Sequence, residues 1–261
     1  MSLDEYGWRP FYAQQMELDE IGTTVPARVT AIHRTGVVVN DGTGEVMIPL
    51  GGAWFQRPDE ERPTVGDFVV LDSERTKVLR LLERSTVFKR AAADDAGEVQ
   101  LIAANVDILF VVTSCNEEFR ESRLERYLTL AHEAGVQPVV VLTKADLADD
   151  VTTYFERART VARDVAIETV NSLEESTLEG LRGWVLPGQT IALVGSSGVG
   201  KSTLLNTLAG AEVQATGGVR EDDKRGRHTT TSRSLHLLPA GGLMLDVPGM
   251  RELGVTQASE G

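Results

Sequence analysis

The sequence predicts an α/β domain on a mainly parallel sheet, preceded by a small all-β OB-like barrel. Three features predict it. Residues 23–82 break into short strand-like runs bounded by turn residues, the pattern of a small barrel. From about residue 100, apolar runs alternate with stretches of helical spacing, the pattern of a parallel sheet covered by helices. One such run, IALVG, ends in the glycine-rich stretch GSSGVGKST at 195–203 and is followed by a helical segment. That is the setting of a phosphate-binding loop.

Residues 1–22 read as an N-terminal extension. Their acidic, polar start lacks the basic and apolar regions of a secretory signal. The barrel is expected over 23–84. TVPARVTAI places Val25, Ala27, Val29 and Ala31 on one face of a strand. GVVVNDGTGEVMIPL is two strand-like runs around an Asp-Gly turn, a hairpin signal. DFVVLD and KVLRLLE supply two more strands. Such barrels often bind oligonucleotides, although fold alone decides no function.

Residues 75–90 hold six Lys/Arg and one Glu in a chain of net charge −13. This island, with Arg80, Arg84, Lys89 and Arg90, is either an RNA-phosphate contact or a solvated sheet edge. The overall charge argues against a broadly basic surface for non-specific nucleic-acid binding. Residues 85–100 read as a linker, and 101–261 as the α/β domain.

Within that domain VDILFVVTS is a strand buried on both faces. RLERYLTLAHEAG is a helix with Leu124, Tyr127, Leu128 and Ala131 on its apolar face and Gly135 as its stop. PVVVLT, VAIETV and QTIALVG are strands, while TTYFERARTVARD, ESTLEGLRGWV and STLLNTLAG are helices. SRSLHLL and GLMLDV are two further strands. No internal repeat is present. No apolar run reaches the length of a membrane span. The single Cys115 cannot form an internal disulfide and is expected as a small buried core residue.

Gly195, Gly200, Lys201 and Ser202 fit G-x-x-x-x-G-K-[ST]. Glycines let the backbone amides of Gly195, Ser196, Ser197, Gly198, Val199 and Gly200 converge on phosphate oxygens. The helix N-terminus from Lys201 to Thr203 adds positive partial charge. Lys201 should reach the β- and γ-phosphates, and Ser202 should ligate Mg2+. Downstream, LMLDVPG places Asp246 to hold Mg2+ through water and Gly249 to offer its amide to the γ-phosphate. Between them GVREDDKRGRHTTTSRS reads as a switch loop. Thr231, before Thr230, is the first choice to complete the Mg2+ shell.

LTKADL stands about fifty residues before the phosphate loop. Asp146 can accept both adjacent N–H donors of guanine, a pair that adenine lacks; an unmet buried carboxylate would penalise adenine. Lys144 can lay its stem over the base, with Ala145 between them. Thr143 keeps one hydroxyl, for the base or for the phosphate loop. Asn171-Ser172, after the next strand, sits where a second base-contacting loop belongs. The order is base motif, second base loop, phosphate loop, switch and DVPG. That is a GTPase set with its beginning and end exchanged, which a circular permutation achieves without disturbing the sheet.

With LIAANVD, TKADL, GSSGVGKSTLLN, GRHTTT and DVPGMRELG, the chain resembles, over roughly 23–255, the circularly permuted GTPases of the RsgA (YjeQ/EngC) family. The resemblance implies a P-loop GTPase domain that hydrolyses GTP to GDP and phosphate. It also implies a cytoplasmic protein that binds the 30S ribosomal subunit and its 16S rRNA and assists late maturation. A monomer is expected. That family more often has Asn where Thr143 stands. It also carries a zinc-binding helical domain after the GTPase domain, and the Cys and His ligands for zinc are absent here, so zinc is not carried over. Met250 follows DVPG where many GTPases have a water-orienting Gln. His228 in the switch loop is the expected catalytic group, beside Lys201, and turnover should be slow until the subunit orders that loop. Two other classes compete: an ATP-using P-loop enzyme, and an RNA-binding module with a vestigial nucleotide site. TKAD argues against the first, and intact Lys201, Ser202 and Asp246 against the second.

Overall fold

The computed structural model describes residues 2–91, 99–210, 233–239 and 241–247. In chain order its elements begin with α1 (Pro10–Ala13), β1 (Thr24–His33), β2 (Gly36–Asn40), β3 (Glu45–Pro49), α2 (Gly52–Phe55), β4 (Phe68–Asp72) and β5 (Val78–Leu81). Next come β6 (Val87–Ala91), β7 (Val99–Ala104), β8 (Ile108–Ser114), α3 (Glu121–Ala134), β9 (Gln137–Thr143), α4 (Val151–Val161) and β10 (Ala166–Thr169). The rest are α5 (Glu179–Arg182), β11 (Thr190–Val194), α6 (Lys201–Ala209), β12 (Ser234–Leu237) and β13 (Leu243–Asp246).

Two compact units interleave along the chain. The first gathers Met1–Asp107, Val185–Ala192 and Ser232–Val247. The second contains, of its described residues, 108–184 and 193–210. Residues 185–192 and 233–247 therefore group with the N-terminal half, although the sequence places them inside a 101–261 domain.

In the first unit the antiparallel strands pair in the order β3-β2-β1-β4-β5. The Asp-Gly hairpin joins β2 to β3, with Val38 opposite Met47. Alternation along β1 buries Ala27 and Val29 with Val37, Ile48, Val69 and Leu71. It does not expose the other face, because Arg28 and Thr30 are buried too. The reason is a second apolar cluster, in which Tyr12 packs with Phe68, Val70 and Leu82 beside Trp8 and Phe11. Of the stretch read as an extension, Leu3, Trp8, Phe11, Tyr12 and Met16 thus pack into this unit.

Arg28 sits in that interior. Its guanidinium donates to Tyr6 O at 2.7 Å, Asn105 O at 2.9 Å and Thr190 Oγ1 at 3.1 Å, and lies 4.6 Å from the centre of the Phe68 ring. A buried cation is costly unless its donors are met. Burial pulls its pKa down to about 10, which leaves it charged at neutral pH. The stretch read as a linker carries β6 and the start of β7, paired antiparallel. β13 runs parallel to β11, with Ile191 opposite Met244, and antiparallel to β12.

In the second unit β8, β9 and β10 are parallel neighbours. Leu109, Phe110, Val111 and Val139–Leu142 are fully buried, as continuous apolar runs require. On α3 the buried residues are Leu124, Tyr127, Leu128 and Ala131, and Gly135 closes the helix at φ 70°. Asp150 caps α4 by accepting from Thr152 N at 2.9 Å. The helix expected over ESTLEGLRGWV shrinks to a 3-10 turn, Glu175–Leu178, and the four-residue α5. Gly180 and Gly183 make a longer helix there unfavourable. Cys115 is buried, and burial pushes its thiol up to about 11.

Candidate functional site

The phosphate loop leaves the last buried residues of β11 and enters α6. Gly195 has φ 151°, and a Cβ there would lie 2.2 Å from Val112 O, so no other residue fits. Gly200, at φ 93°, opens the N-terminus of α6. Lys201 is buried. Its ammonium donates to Gly195 O at 2.7 Å and to Ser196 O, so two carbonyls of the loop aim it. Ser197 and Gly198 form the exposed tip, Val199 is buried, and Ser202 and Thr203 stand half-buried in the first turn of α6.

Thr143 ends β9 and is fully buried. Its hydroxyl lies 2.6 Å from Val199 O and 3.2 Å from Thr113 O. One O–H serves one strong bond, and the shorter wins. Of the two roles open to Thr143, the tie to the phosphate loop is therefore the one made. Lys144 turns the chain at φ 57°, and Ala145 and Asp146 lie in the 3-10 turn Ala145–Leu147, with Asp146 exposed.

The Asn171-Ser172 loop is braced in the same way. Asn171 Oδ1 accepts from Leu173 N at 3.0 Å, so its amide shapes the turn. Ser172 O accepts from Thr207 Oγ1 of α6 at 2.8 Å. The Ser172 hydroxyl is buried without a partner among the described residues. The TKAD and Asn171-Ser172 loops are thus tied to the phosphate segment, one through Val199 and the other through Thr207. Nothing in the sequence marks Thr207, since a Thr inside a helix carries no motif. Nothing marks Arg123 either, which from the first turn of α3 donates to Ser196 Oγ.

Asp246 closes β13, half-buried. His228, Thr230, Thr231 and Gly249 lie outside the described residues. In the basic island Arg80 forks onto Glu20 and reaches Gln15 O. Arg84 forks onto the fully buried carboxylate of Asp67, with both bonds at 2.8 Å. Burial raises Asp67, against the pull of Arg84. Lys89 meets Glu60 at an exposed 3.1 Å. Arg90 is on β6, and its side chain lies outside what the structure describes. The charges of Arg80 and Arg84 are therefore spent inside the fold.

The family model for the RsgA GTPase matches residues 81–256. A Small ribosomal subunit biogenesis GTPase RsgA 2 from Vibrio parahaemolyticus is 48% identical over 259 residues, covering 99% of this chain and 70% of that protein. A Small ribosomal subunit biogenesis GTPase RsgA from Mesorhizobium japonicum is 44% identical, covering 100% of this chain and 74% of its own length. Among solved structures, YjeQ from Thermotoga maritima superposes with a TM-score of 0.65 at 23% identity, over 88% of this chain and 76% of that one. YloQ, described as a circularly permuted GTPase, gives 0.63 at 21% identity, over 91% and 76%. At such identities the structural likeness speaks for the fold, and the sequence match speaks for descent. The motif order, the braced phosphate loop and the match over most of the chain converge: the chain belongs to the RsgA GTPase family.

Proposed function

We propose that the chain binds GTP and hydrolyses it to GDP and phosphate in the maturation of the small ribosomal subunit. The observation that carries this is the bracing of the phosphate loop. Lys201 is aimed by Gly195 O and Ser196 O, while Thr143 ties the base motif to Val199. A loop built around a structural turn needs neither. Asp146 reads guanine, with Lys144 along the base and the Asn171-Ser172 loop on its other side. The small β-unit serves as an OB-like barrel, and 16S rRNA is its partner. The protein acts as a cytoplasmic monomer.

Magnesium fits the donors. Ser202 and Asp246 offer hard oxygens, and Mg2+ needs few protein ligands when phosphates supply the rest. Ser202 and Thr231 would ligate it directly and Asp246 through water. When bound, Mg2+ neutralises charge on the β- and γ-oxygens. The chain's own groups do the remaining work. The loop amides hold the phosphates, Lys201 bridges β and γ, and His228 orients the attacking water once the switch loop is ordered. GTP, more than GDP, then favours tight subunit binding, since only the γ-phosphate engages Gly249.

Competition of GTP, GDP and ATP for one fluorescent guanine nucleotide tests the nucleotide class. GTP and GDP should displace it and ATP should not; displacement by ATP would sink the assignment. Lys89 and Arg90 remain the candidate RNA-phosphate contacts. Replacing both with Gln should lower subunit affinity and flatten its dependence on salt by about one unit of slope for each phosphate left unneutralised. An unchanged slope would return the island to a solvated edge.

A further inference from the structure

We propose that Arg123 is a catalytic residue: its guanidinium stabilises the charge that builds on the γ-phosphate during hydrolysis, an arginine supplied in cis by α3. This rests on the GTPase assignment above. Arg123 donates to the Ser196 hydroxyl, and Lys201 donates to the carbonyl of that same Ser196. The P-loop lysine marks where the β- and γ-phosphates lie. Two cations therefore converge on one residue of the phosphate loop. An anion bound at that residue would be stabilised by both.

Several of the other arginines are already neutralised. Arg9, Arg75, Arg80, Arg84 and Arg157 each hold a carboxylate. Arg123 is half-buried, has no carboxylate partner among the described residues, and spends one donor on Ser196. A guanidinium carries five donors in a planar fork suited to phosphate oxygens. An arginine whose fork is largely unused, beside a phosphate loop, is built for an oxyanion. The chemistry also calls for one. Met250 follows DVPG and cannot orient water, which leaves that task to His228 and the stabilisation of γ-phosphate charge to other groups of the chain.

The step balances without a further reactant. The water oxygen attacks the γ-phosphorus. The bond from that phosphorus to the β–γ bridging oxygen breaks, and its electron pair stays on GDP. The proton of the water ends on inorganic phosphate. Arg123 donates N–H bonds to the oxygens that gain charge and remains protonated throughout.

Single-turnover GTP hydrolysis, with and without purified small ribosomal subunits, tests this on Arg123→Ala and Arg123→Lys, alongside binding of GDP and of GDP with aluminium fluoride. Arg123→Ala should slow turnover by about 100-fold, the loss typical of one preorganised donor. It should weaken the aluminium fluoride complex while leaving GDP affinity and the melting temperature near wild type. Arg123→Lys should recover little, because an ammonium lacks the fork. Wild-type turnover in Arg123→Ala would overturn the proposal alone. So would an equal loss of GDP and aluminium fluoride affinity, which marks a mere prop for the loop. A wild-type chain that never hydrolyses GTP, even with subunits, would overturn the GTPase assignment and this inference with it.

Discussion

Thr143 shows how one residue can be half legible. Its place in TKAD points to a nucleotide, but the direction of its hydroxyl comes only with the fold, where it donates to Val199 O at 2.6 Å. Thr143→Val removes that donor and leaves a buried carbonyl unpaired. The cost is about 1–2 kcal/mol, so GDP affinity should fall by roughly 5- to 30-fold, while Thr143→Asn, which keeps a donor, should lose little. Equilibrium titration with a fluorescent GDP decides, and an unchanged affinity for Thr143→Val would show that the hydroxyl does not hold the loop. Arg28 is illegible, since a charge in an alternating strand reads as solvent-facing, and only a second covering layer makes it interior. Arg123 is illegible for a different reason. A helix surface gives no period or spacing that marks one arginine as facing a loop seventy-three residues away.

At the scale of elements, periodicity locates the strands and the long helices, because each buries one face or both. It fails where a segment's partner lies far off in sequence. Residues 1–22 look polar, yet they are clamped to β5 by Arg80, which bonds both Glu20 and Gln15 O. The hydrogen bonds from Arg80 hold the Glu20 carboxyl down at about 2, against an ordinary 4.5. A depressed carboxylate pKa stabilises the fold above the ordinary value and ceases to do so as pH falls toward the depressed one. The melting-temperature advantage of wild type over Glu20→Gln should therefore be present at neutral pH, shrink below about pH 4.5 and vanish near pH 2. The pair is partly exposed, so the advantage is small. A gap that stays constant through that window would remove the pairing from the account. The lost helix at 175–185 is the opposite case. There the local glycines outweigh an apolar pattern that favours a helix.

Across the whole molecule, the order of motifs is the most legible feature. A base motif ahead of the phosphate loop is meaningful only if the sheet is rewired, and the chain shares the fold of YloQ, described as a circularly permuted GTPase. The interleaving of the two units is not legible, because 185–192 and 233–247 carry ordinary strand patterns that do not say which half they join. The proposal for the whole molecule is that its GTPase site is switched by the small ribosomal subunit. It is tested most directly by GTP hydrolysis measured with and without purified small subunits. Slow turnover alone and a rise of at least about tenfold on adding subunits are predicted, as for a site whose water-positioning group is ordered only on docking. Equal rates with and without subunits would contradict it.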